Sequence, residues 1–335
     1  RDAMRGLVTA RAGLVAALLA TGACTAMAET TTLRFGQIPS TVRGTSSVYL
    51  QLADSKGFLA RENIKLERVL IAGGTGNMIA ALERGEVDIT QTATPYLIQA
   101  VLRGSDAVGV ASETANPIYS LIAKPGIASY ADLKGKLVGL SLPIDMISIS
   151  MRKLLALHGL GKTDYRVKEL VGTPVRFDCL KSGVCDAVPL SQPEDLIATA
   201  AGYHRLGIST EAVSAFQFQV LAVKRSWGTE HQDALVRFLR ALAASFRYFR
   251  DPANREEVIR TMVAVTGTPE DIARQTLALY LEPDRGVMPK AGEINLAGLA
   301  KVIEFMEEGG MIKPPALAPE RFVDLQYLRA AGVKD

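Results

Sequence analysis

The feature that most constrains the fold is a phrase that occurs twice in the chain, 98 residues apart. Residues 82–88 read LERGEVD and residues 180–186 read LKSGVCD. Each copy has a leucine, two polar residues, a glycine and then an aspartate, and the glycine suits the left-handed turn that ends many helices. A helix end followed by a glycine and a buried strand is a common corner, so the phrase alone does not indicate a repeat. Its position in the chain provides the stronger evidence.

Both copies lie at the corresponding corner of a run of alternating strands and helices. Such patterns alternate between residues 32 and 112, and they alternate again between residues 119 and 190. This alternation is typical of an α/β sheet with mostly parallel strands. The repeat therefore predicts two similar α/β lobes. After residue 227 the pattern becomes helical, and the one-sided apolar face of residues 231–249 predicts that this tail packs on one of the lobes.

Composition bounds the class of protein. The chain has 335 residues, 48% of them hydrophobic and 22% charged, which suits a soluble globular protein of about two domains. The net charge of +3 and the pI near 8.7 are too mild to indicate a nucleic-acid partner.

The beginning of the chain has the layout of a secretory signal peptide. Arg5 and Arg11 precede an apolar run at residues 12–20, and an A-x-A site follows at residues 26–28. The apolar run is too short to span a bilayer. Cleavage after residue 28 predicts an exported, soluble protein. The alternative is a lipoprotein attached at Cys24, whose preceding residues fit a lipobox poorly.

Export leaves two cysteines in an oxidising compartment. The aligned corners place Cys179 opposite Ala81 and Cys185 opposite Val87, two apolar positions where a helix end meets the next strand. We predict a disulfide between the two cysteines, with two small buried thiols as the alternative. The histidines are dispersed, so no metal site is predicted.

Segments spread over the chain resemble a known family. They are the signal peptide followed by LRFGQIPS, then LADSKGFLARENIKLE, GGTGNMIAALERGEVDI, YSLIAKPGIASYADLKGKLVGL, RFDCLKSGVCDAV and the tail FMEEGGMIKPP with DLQYLRAAG. This combination resembles the substrate-binding proteins of ABC importers in the nitrate, sulfonate and taurine (NitT/TauT) group. The resemblance implies a type II periplasmic binding protein fold, in which two α/β lobes joined by two hinge strands close on a ligand.

On that pattern, residues 29–117 and 219–335 form lobe one, and residues 118–218 form lobe two. Hinges are expected at residues 116–117 and 216–219. The resemblance also implies a periplasmic monomer that binds a small solute and works with a membrane permease and its ATPase. No cofactor, nucleic acid or catalytic residue is expected.

Candidate ligand-binding residues follow the strands and begin the helices of both lobes. Ligands of open α/β sheets bind beyond the carboxyl ends of strands, and helix amino-termini there favour anions. The candidates are Pro39, Ser40, Thr41, Arg43, Gly74, Thr75, Gly76, Thr94, Asn116, Asp145, Ser148 and Gln192.

Several candidates have a second interpretation. Arg43 can grip a carboxylate or sulfonate, or it can be a solvated loop arginine. Thr75 and Thr94 can cap helices as well as touch a ligand, and Asp145 can be a helix N-cap alone. If Asp145 faces the cleft, it argues against an anion.

We expect a small organic anion, because Arg43 and the helix amino-termini act together. A thiamine-precursor pyrimidine is the alternative ligand. An enzyme on the same fold, such as a thiamine-pyrimidine synthase or a menaquinone-pathway lyase, is the rival class. The sequence has no G-x-S-x-G, H-E-x-x-H or dinucleotide fingerprint.

Overall fold

The computed structural model describes residues 29–283, 285–314 and 317–334. The predicted signal peptide, with the alternative lipoprotein residue Cys24, lies outside these ranges. Among the helices within them, none combines the length and the hydrophobicity that a membrane span requires.

The strands and helices alternate along most of the chain. The strands are β1 (Thr31–Gln37), β2 (Ile64–Leu70), β3 (Ile89–Ala93), β4 (Ala107–Thr114), β5 (Ser120–Ala123), β6 (Leu137–Leu140), β7 (Arg166–Glu169), β8 (Ala187–Leu190), β9 (His204–Ile208) and β10 (Gln219–Lys224). The helices are α1 (Val48–Ser55), α2 (Phe58–Arg61), α3 (Gly76–Glu83), α4 (Thr94–Leu102), α5 (Met146–Leu157), α6 (Thr173–Lys181), α7 (Glu194–Ala200), α8 (Ser209–Ala212), α9 (Arg225–Glu230), α10 (Gln232–Arg250), α11 (Arg255–Thr266), α12 (Glu270–Leu281), α13 (Leu296–Glu308) and α14 (Gln326–Ala330).

The strands form two five-stranded sheets of the same design. The first sheet has the order β2-β1-β3-β10-β4 and the second has the order β7-β6-β8-β5-β9. In each sheet the first three strands are parallel, and one inserted strand, β10 or β5, runs antiparallel to both neighbours. We call the first sheet with its helices lobe one and the second sheet with its helices lobe two. The predicted two-lobed α/β fold is confirmed.

The chain passes between the sheets twice, once after β4 and once before β10. The C-terminal helices then pack on lobe one, where α10 contacts α1, α2 and α14, and α13 contacts α4. Phe238, Leu242 and Phe246 of α10 are fully buried in the core of lobe one. The apolar face that the sequence predicted for this helix is therefore the face that packs.

The repeated phrase is a corner at which the aspartate before the central strand, β3 or β8, ties that strand to its neighbour, β1 or β6. Asp88 accepts a hydrogen bond from the backbone N–H of Arg34 in β1 at 2.8 Å, and Asp186 accepts one from that of Leu137 in β6 at 2.8 Å. The glycines of the two copies have φ angles of 71° and 78°, where glycine is favoured. The repeat thus has a physical cause, because each aspartate occupies a backbone donor that the strand pairing leaves free.

Two local features differ from what the sequence predicts. The segment SYADLKG has the pattern of a short helix with a glycine stop. It makes only a 3-10 turn at Ala131–Leu133, because Lys134, with a ψ of 125°, leaves the helical region and Gly135 has a φ of 72°. The short, polar strand β9 and the helix α7 have no clear periodicity and were not predicted.

The predicted disulfide is present. It joins Cys179, near the end of α6, to Cys185, just before β8, with an S–S distance of 2.10 Å and a Cα–Cα distance of 5.2 Å. At the corresponding corner of lobe one, Ala81 and Val87 are buried and make the same junction by packing.

Candidate ligand-binding cleft

A cavity of about 340 Å³ lies between the two lobes. Its wall is formed by the segments that follow β1 and β2 in lobe one and β6, β7 and β8 in lobe two. These segments are the carboxyl ends of parallel strands, the usual ligand position in open α/β sheets. The volume suits a small organic molecule.

The two rims of the cleft touch each other. A Cβ placed on Gly172 would lie 3.1 Å from Ser40 Cβ, and a Cβ on Gly74 would lie 3.0 Å from a methyl carbon of Val171. The Thr45 hydroxyl also donates a long hydrogen bond of 3.5 Å to the carbonyl oxygen of Gln192. A ligand in the cavity would therefore be enclosed from both lobes.

Many of the predicted residues meet in this cavity wall. Those that line it are Ser40, Thr41, Arg43, Gly74, Thr75, Asp145 and Gln192. They come from four separate strand ends, so the fold brings together residues far apart in sequence.

Thr94 and Asn116 lie outside the wall because their side chains bond elsewhere. Thr94 is the first residue of α4, not its N-cap, and its hydroxyl donates to the carbonyl oxygen of Gln217 at 2.7 Å. The Asn116 amide donates to the carbonyl oxygens of Ser214 and Arg285, each at 3.0 Å. Both side chains hold the crossing segments in place.

Pro39, Gly76 and Ser148 also lie outside the wall. Pro39 is exposed at the start of a 3-10 turn, and Gly76 begins α3 beside the ring of Tyr96. Ser148 is fully buried in α5, and its hydroxyl has no hydrogen-bond partner among the described residues.

The most deeply buried charged side chain in the cavity wall is that of Arg176, which is not among the residues predicted from the sequence. Its side chain is 1% exposed, and it donates to the carbonyl oxygens of Pro189 and Leu170 and to the Thr173 hydroxyl at 2.8–3.1 Å. Burial lowers the pKa of its guanidinium, yet an arginine stays charged at any physiological pH. No described carboxylate forms a hydrogen bond or ion pair with it, although Asp145 and Glu194 are near enough to raise its pKa, and two of its five N–H groups have no acceptor among the described residues.

Two carboxyl groups share this wall. Asp145 is the N-cap of α5, where it accepts from the Ile147 N–H at 3.2 Å and from the Ser141 hydroxyl at 2.8 Å. Glu194 begins α7 and is half-buried. Burial raises the pKa of both carboxyl groups, which shifts each of them toward its neutral form. The N-cap role of Asp145 and its place in the cleft are therefore both true.

Aromatic side chains and one amide complete the wall. Tyr119, Phe218 and Tyr280 line the cavity, and neither tyrosine hydroxyl has a hydrogen-bond partner among the described residues. Burial raises the pKa of both tyrosines, so both hydroxyls remain protonated donors. Gln192 donates to Asp195 at 2.8 Å, which leaves its buried Oε1 as an unpartnered acceptor.

A signal for Arg176 exists in the repeat. The offset of 98 residues, extended upstream from the corner, pairs Gly74-Thr75 with Gly172-Thr173 and Met78 with Arg176. Both Gly-Thr pairs line the cleft, and the change from a buried methionine to a buried arginine marks the lobe that carries the charge.

Comparison with known proteins identifies the family. A family model described as "NMT1/THI5 like" matches residues 45–254. The chain belongs to the NMT1/THI5-like family. Among curated proteins, no sequence matches this NMT1/THI5-like chain.

Solved structures share the fold of this NMT1/THI5-like protein. The nitrate-binding protein NrtA from Synechocystis PCC 6803 is 15% identical with a TM-score of 0.74, covering 91% of this chain and 89% of its own. The alkanesulfonate-binding protein SsuA from Xanthomonas axonopodis pv. citri, bound to MOPS, is 19% identical with a TM-score of 0.68, covering 89% and 99%. The desulfurization enzyme DSZB is 17% identical with a TM-score of 0.63, covering 90% and 98%.

These likenesses confirm the type II periplasmic binding protein fold and the resemblance to sulfonate and nitrate binding proteins of ABC importers. At these identities they establish the fold and leave the ligand open.

Proposed function

We propose that this protein is the periplasmic solute-binding component of an ABC importer. It captures a small organic anion, of the sulfonate, carboxylate or nitrate-like kind, in the cleft between its lobes. It then delivers the anion to a membrane permease that a cytoplasmic ATPase drives. The observation that carries this proposal is Arg176, a buried cation in the cavity wall without a carboxylate partner among the described residues.

The charges of the cleft support an anion. A buried cation is costly unless an opposite charge approaches it, and a planar guanidinium binds carboxylate and sulfonate oxygens with two parallel hydrogen bonds. The carboxyl groups of Asp145 and Glu194 line the same wall, and their attraction to the Arg176 guanidinium offsets part of the negative charge that they bring to the cleft. The free tyrosine hydroxyls of Tyr119 and Tyr280 add neutral donors.

The names of the structural neighbours support the same ligand class. One neighbour is a nitrate-binding protein, and another is an alkanesulfonate-binding protein bound to MOPS, a sulfonate buffer. The predicted signal peptide agrees with a periplasmic location and with permease partners.

A second candidate ligand is a thiamine-precursor pyrimidine. The aromatic rings of Tyr119 and Phe218 can stack on a heterocycle, and the carboxyl groups of Asp145 and Glu194 can bind an exocyclic amino group. Because the chain belongs to the NMT1/THI5-like family, a pyrimidine is included among the compounds tested.

A thermal-shift screen tests the proposal. The mature protein is heated with ethanesulfonate, acetate, nitrate or a 4-aminopyrimidine, each at one concentration series. An anion present at a hundred times its Kd stabilises the native state by about 2.7 kcal/mol, which raises Tm by about 4 °C for a chain of this size. Arg176→Met is expected to abolish the shift, whereas Ser148→Ala, outside the wall, is expected to retain it.

Two outcomes would overturn the proposal. A shift with the pyrimidine alone would assign the cleft to the second candidate. Consumption of a bound compound by the purified protein, followed by mass spectrometry, would indicate an enzyme, as in the desulfurization enzyme that shares the fold.

A further inference from the structure

Helix α6 carries the cleft residues Thr173 and Arg176, yet few apolar side chains hold it in place. Its buried residues are Thr173, Arg176 and Leu180, and Val175 is 48% exposed. A surface helix is usually held by an apolar stripe along one side. In α6 this stripe is reduced to Leu180 and the partly buried Phe177, whose ring lies 6.4 Å from that of Tyr203, so other contacts help to fix its position.

Two contacts join α6 to the neighbouring strand β8. Near the beginning of the helix, Arg176 donates to the carbonyl oxygen of Pro189 in β8 at 2.8 Å. At the end of the helix, the disulfide joins Cys179 to Cys185, which directly precedes Asp186 and β8. Cys179 lies three residues after Arg176, so the two side chains are neighbours on the same side of the helix.

The strand side of the disulfide is rigid. Cys185 is 0% exposed, and a Cβ on Gly139 of β6 would lie 3.0 Å from its sulfur. The sulfur of Cys185 therefore packs on the face of β6, where it cannot shift without disturbing the close packing of the sheet. The half of the bridge on α6 is held by this fixed point.

We propose that the Cys179–Cys185 disulfide positions Arg176 for ligand binding, by fixing α6 against β8. This inference rests on the proposed function, in which Arg176 binds the ligand's anionic group. Without the bridge, the end of α6 moves relative to β8 and the guanidinium loses its fixed place in the wall. The disulfide is thus a positioning element, since it touches no ligand itself.

The test compares the wild-type protein with the double variant Cys179→Ala/Cys185→Val. This variant gives the lobe-two corner the residues that lobe one has at the aligned positions, Ala81 and Val87. The first readout needs no ligand: hydrogen exchange of the Arg176 Nε–H, followed by NMR, reports its bond to Pro189. The second readout is the affinity for ethanesulfonate, measured by calorimetry. We expect both the exchange rate and the Kd to rise about tenfold, the size of one weakened hydrogen bond to a charged group.

A matched control separates positioning from general stability. Leu155→Ala truncates a fully buried side chain of α5 in the same lobe, so it lowers stability without touching α6. It is expected to leave both readouts unchanged. Should the double variant fail to fold, wild-type protein reduced with dithiothreitol replaces it, because no side chain is then altered.

Wild-type exchange and affinity in the protein without the bridge would show that the disulfide is structural only. Faster exchange with unchanged affinity would also overturn the inference. If ethanesulfonate binds neither form, the proposed ligand class fails, while the exchange of the Nε–H still decides whether the disulfide positions Arg176.

Discussion

The two lobes share a strand order and a corner, but they hold the equivalent helices in different ways. Helix α3 of lobe one buries Met78, Ile79, Ala81 and Leu82. Helix α6 of lobe two occupies the corresponding place between its strands, and it is held by Arg176, Leu180, the partly buried Phe177 and the disulfide. One backbone design is therefore stabilised by apolar burial in one lobe and by a bonded cation with a cross-link in the other.

This difference explains why the buried positive charge of the cleft lies in lobe two. The aligned residues Met78 and Arg176 are both fully buried, but only the arginine has carbonyl oxygens that accept its N–H groups. A buried charge requires such acceptors, whereas a thioether requires only space. The cation of lobe two therefore has its acceptors in place, whereas in lobe one an apolar side chain fills the corresponding position.

Exchanging these two residues should produce the largest effect. Met78→Arg places a charge among the buried apolar side chains of α3 and should lower the free energy of unfolding by more than about 4 kcal/mol. Arg176→Met should change it by less than about 2 kcal/mol, because the lost hydrogen bonds are offset by removal of a costly buried charge. Urea denaturation of each variant measures both values.

Equal losses of unfolding free energy in the two variants would contradict this contrast between the lobes, since they would indicate that packing volume alone determines stability at both positions. Met78→Leu serves as the control, because a swap between these two apolar residues of similar volume usually costs less than about 1.5 kcal/mol.

Lobe one also buries an ionisable group, but burial there favours a different charge state. Glu113 in β4 is fully buried, and one of its oxygens accepts from Tyr49 at 2.7 Å and from Gln91, while Oε2 has no partner among the described residues. Burial raises the pKa of Glu113 to about 7. Lobe two thus keeps its buried group charged, whereas lobe one favours the neutral form of its own.

This contrast predicts a pH dependence of stability. The pKa of Glu113 is about 7 in the folded protein and about 4.3 in the unfolded chain, so the folded state binds the proton more tightly. Its contribution is fully present below the unfolded pKa and is lost as pH rises toward 7, by about 3 kcal/mol. Glu113→Gln should remove this decline and be more stable than wild type at pH 8.

Urea denaturation of both proteins between pH 4.5 and pH 8 measures the difference. Other buried carboxyl groups contribute equally to both curves, so only the gap between the curves matters. A constant gap across this range would show that Glu113 is ionised in the folded protein.

The sequence predicted most of the fold because its signals are local. Alternating apolar residues and glycine stops mark most of the strands and helices, and the repeated aspartate corner predicted two equivalent lobes. Strand β9 was missed because HRLGI is short and mixed, and the segment at Ala131–Leu133 is too short to complete an α-helical turn.

The cleft was harder to predict because it depends on which way side chains face. Strand ends predicted Ser40, Thr75 and Gln192 as ligand contacts, and all three line the cavity. Thr94 has the same local pattern, yet its hydroxyl bonds to a crossing segment that is distant in sequence. Arg176 was missed because an arginine in a helix is usually solvated, and its carbonyl partners become visible only in three dimensions.

The smallest effect is expected at the other arginine of the cleft. Arg43 of lobe one is exposed, and it has no ion pair or hydrogen bond among the described residues, in contrast to buried Arg176. An exposed rim charge mainly changes the association rate, and salt screens it.

Arg43→Gln should therefore slow ethanesulfonate association about threefold at low salt, with an unchanged dissociation rate. The difference should vanish near 1 M salt, whereas the effect of Arg176→Met should persist. Stopped-flow fluorescence, from the tyrosines that line the cleft, measures both rates. A loss above about tenfold through faster dissociation would instead make Arg43 a direct ligand contact, equivalent to Arg176, and the contrast between the two arginines would disappear.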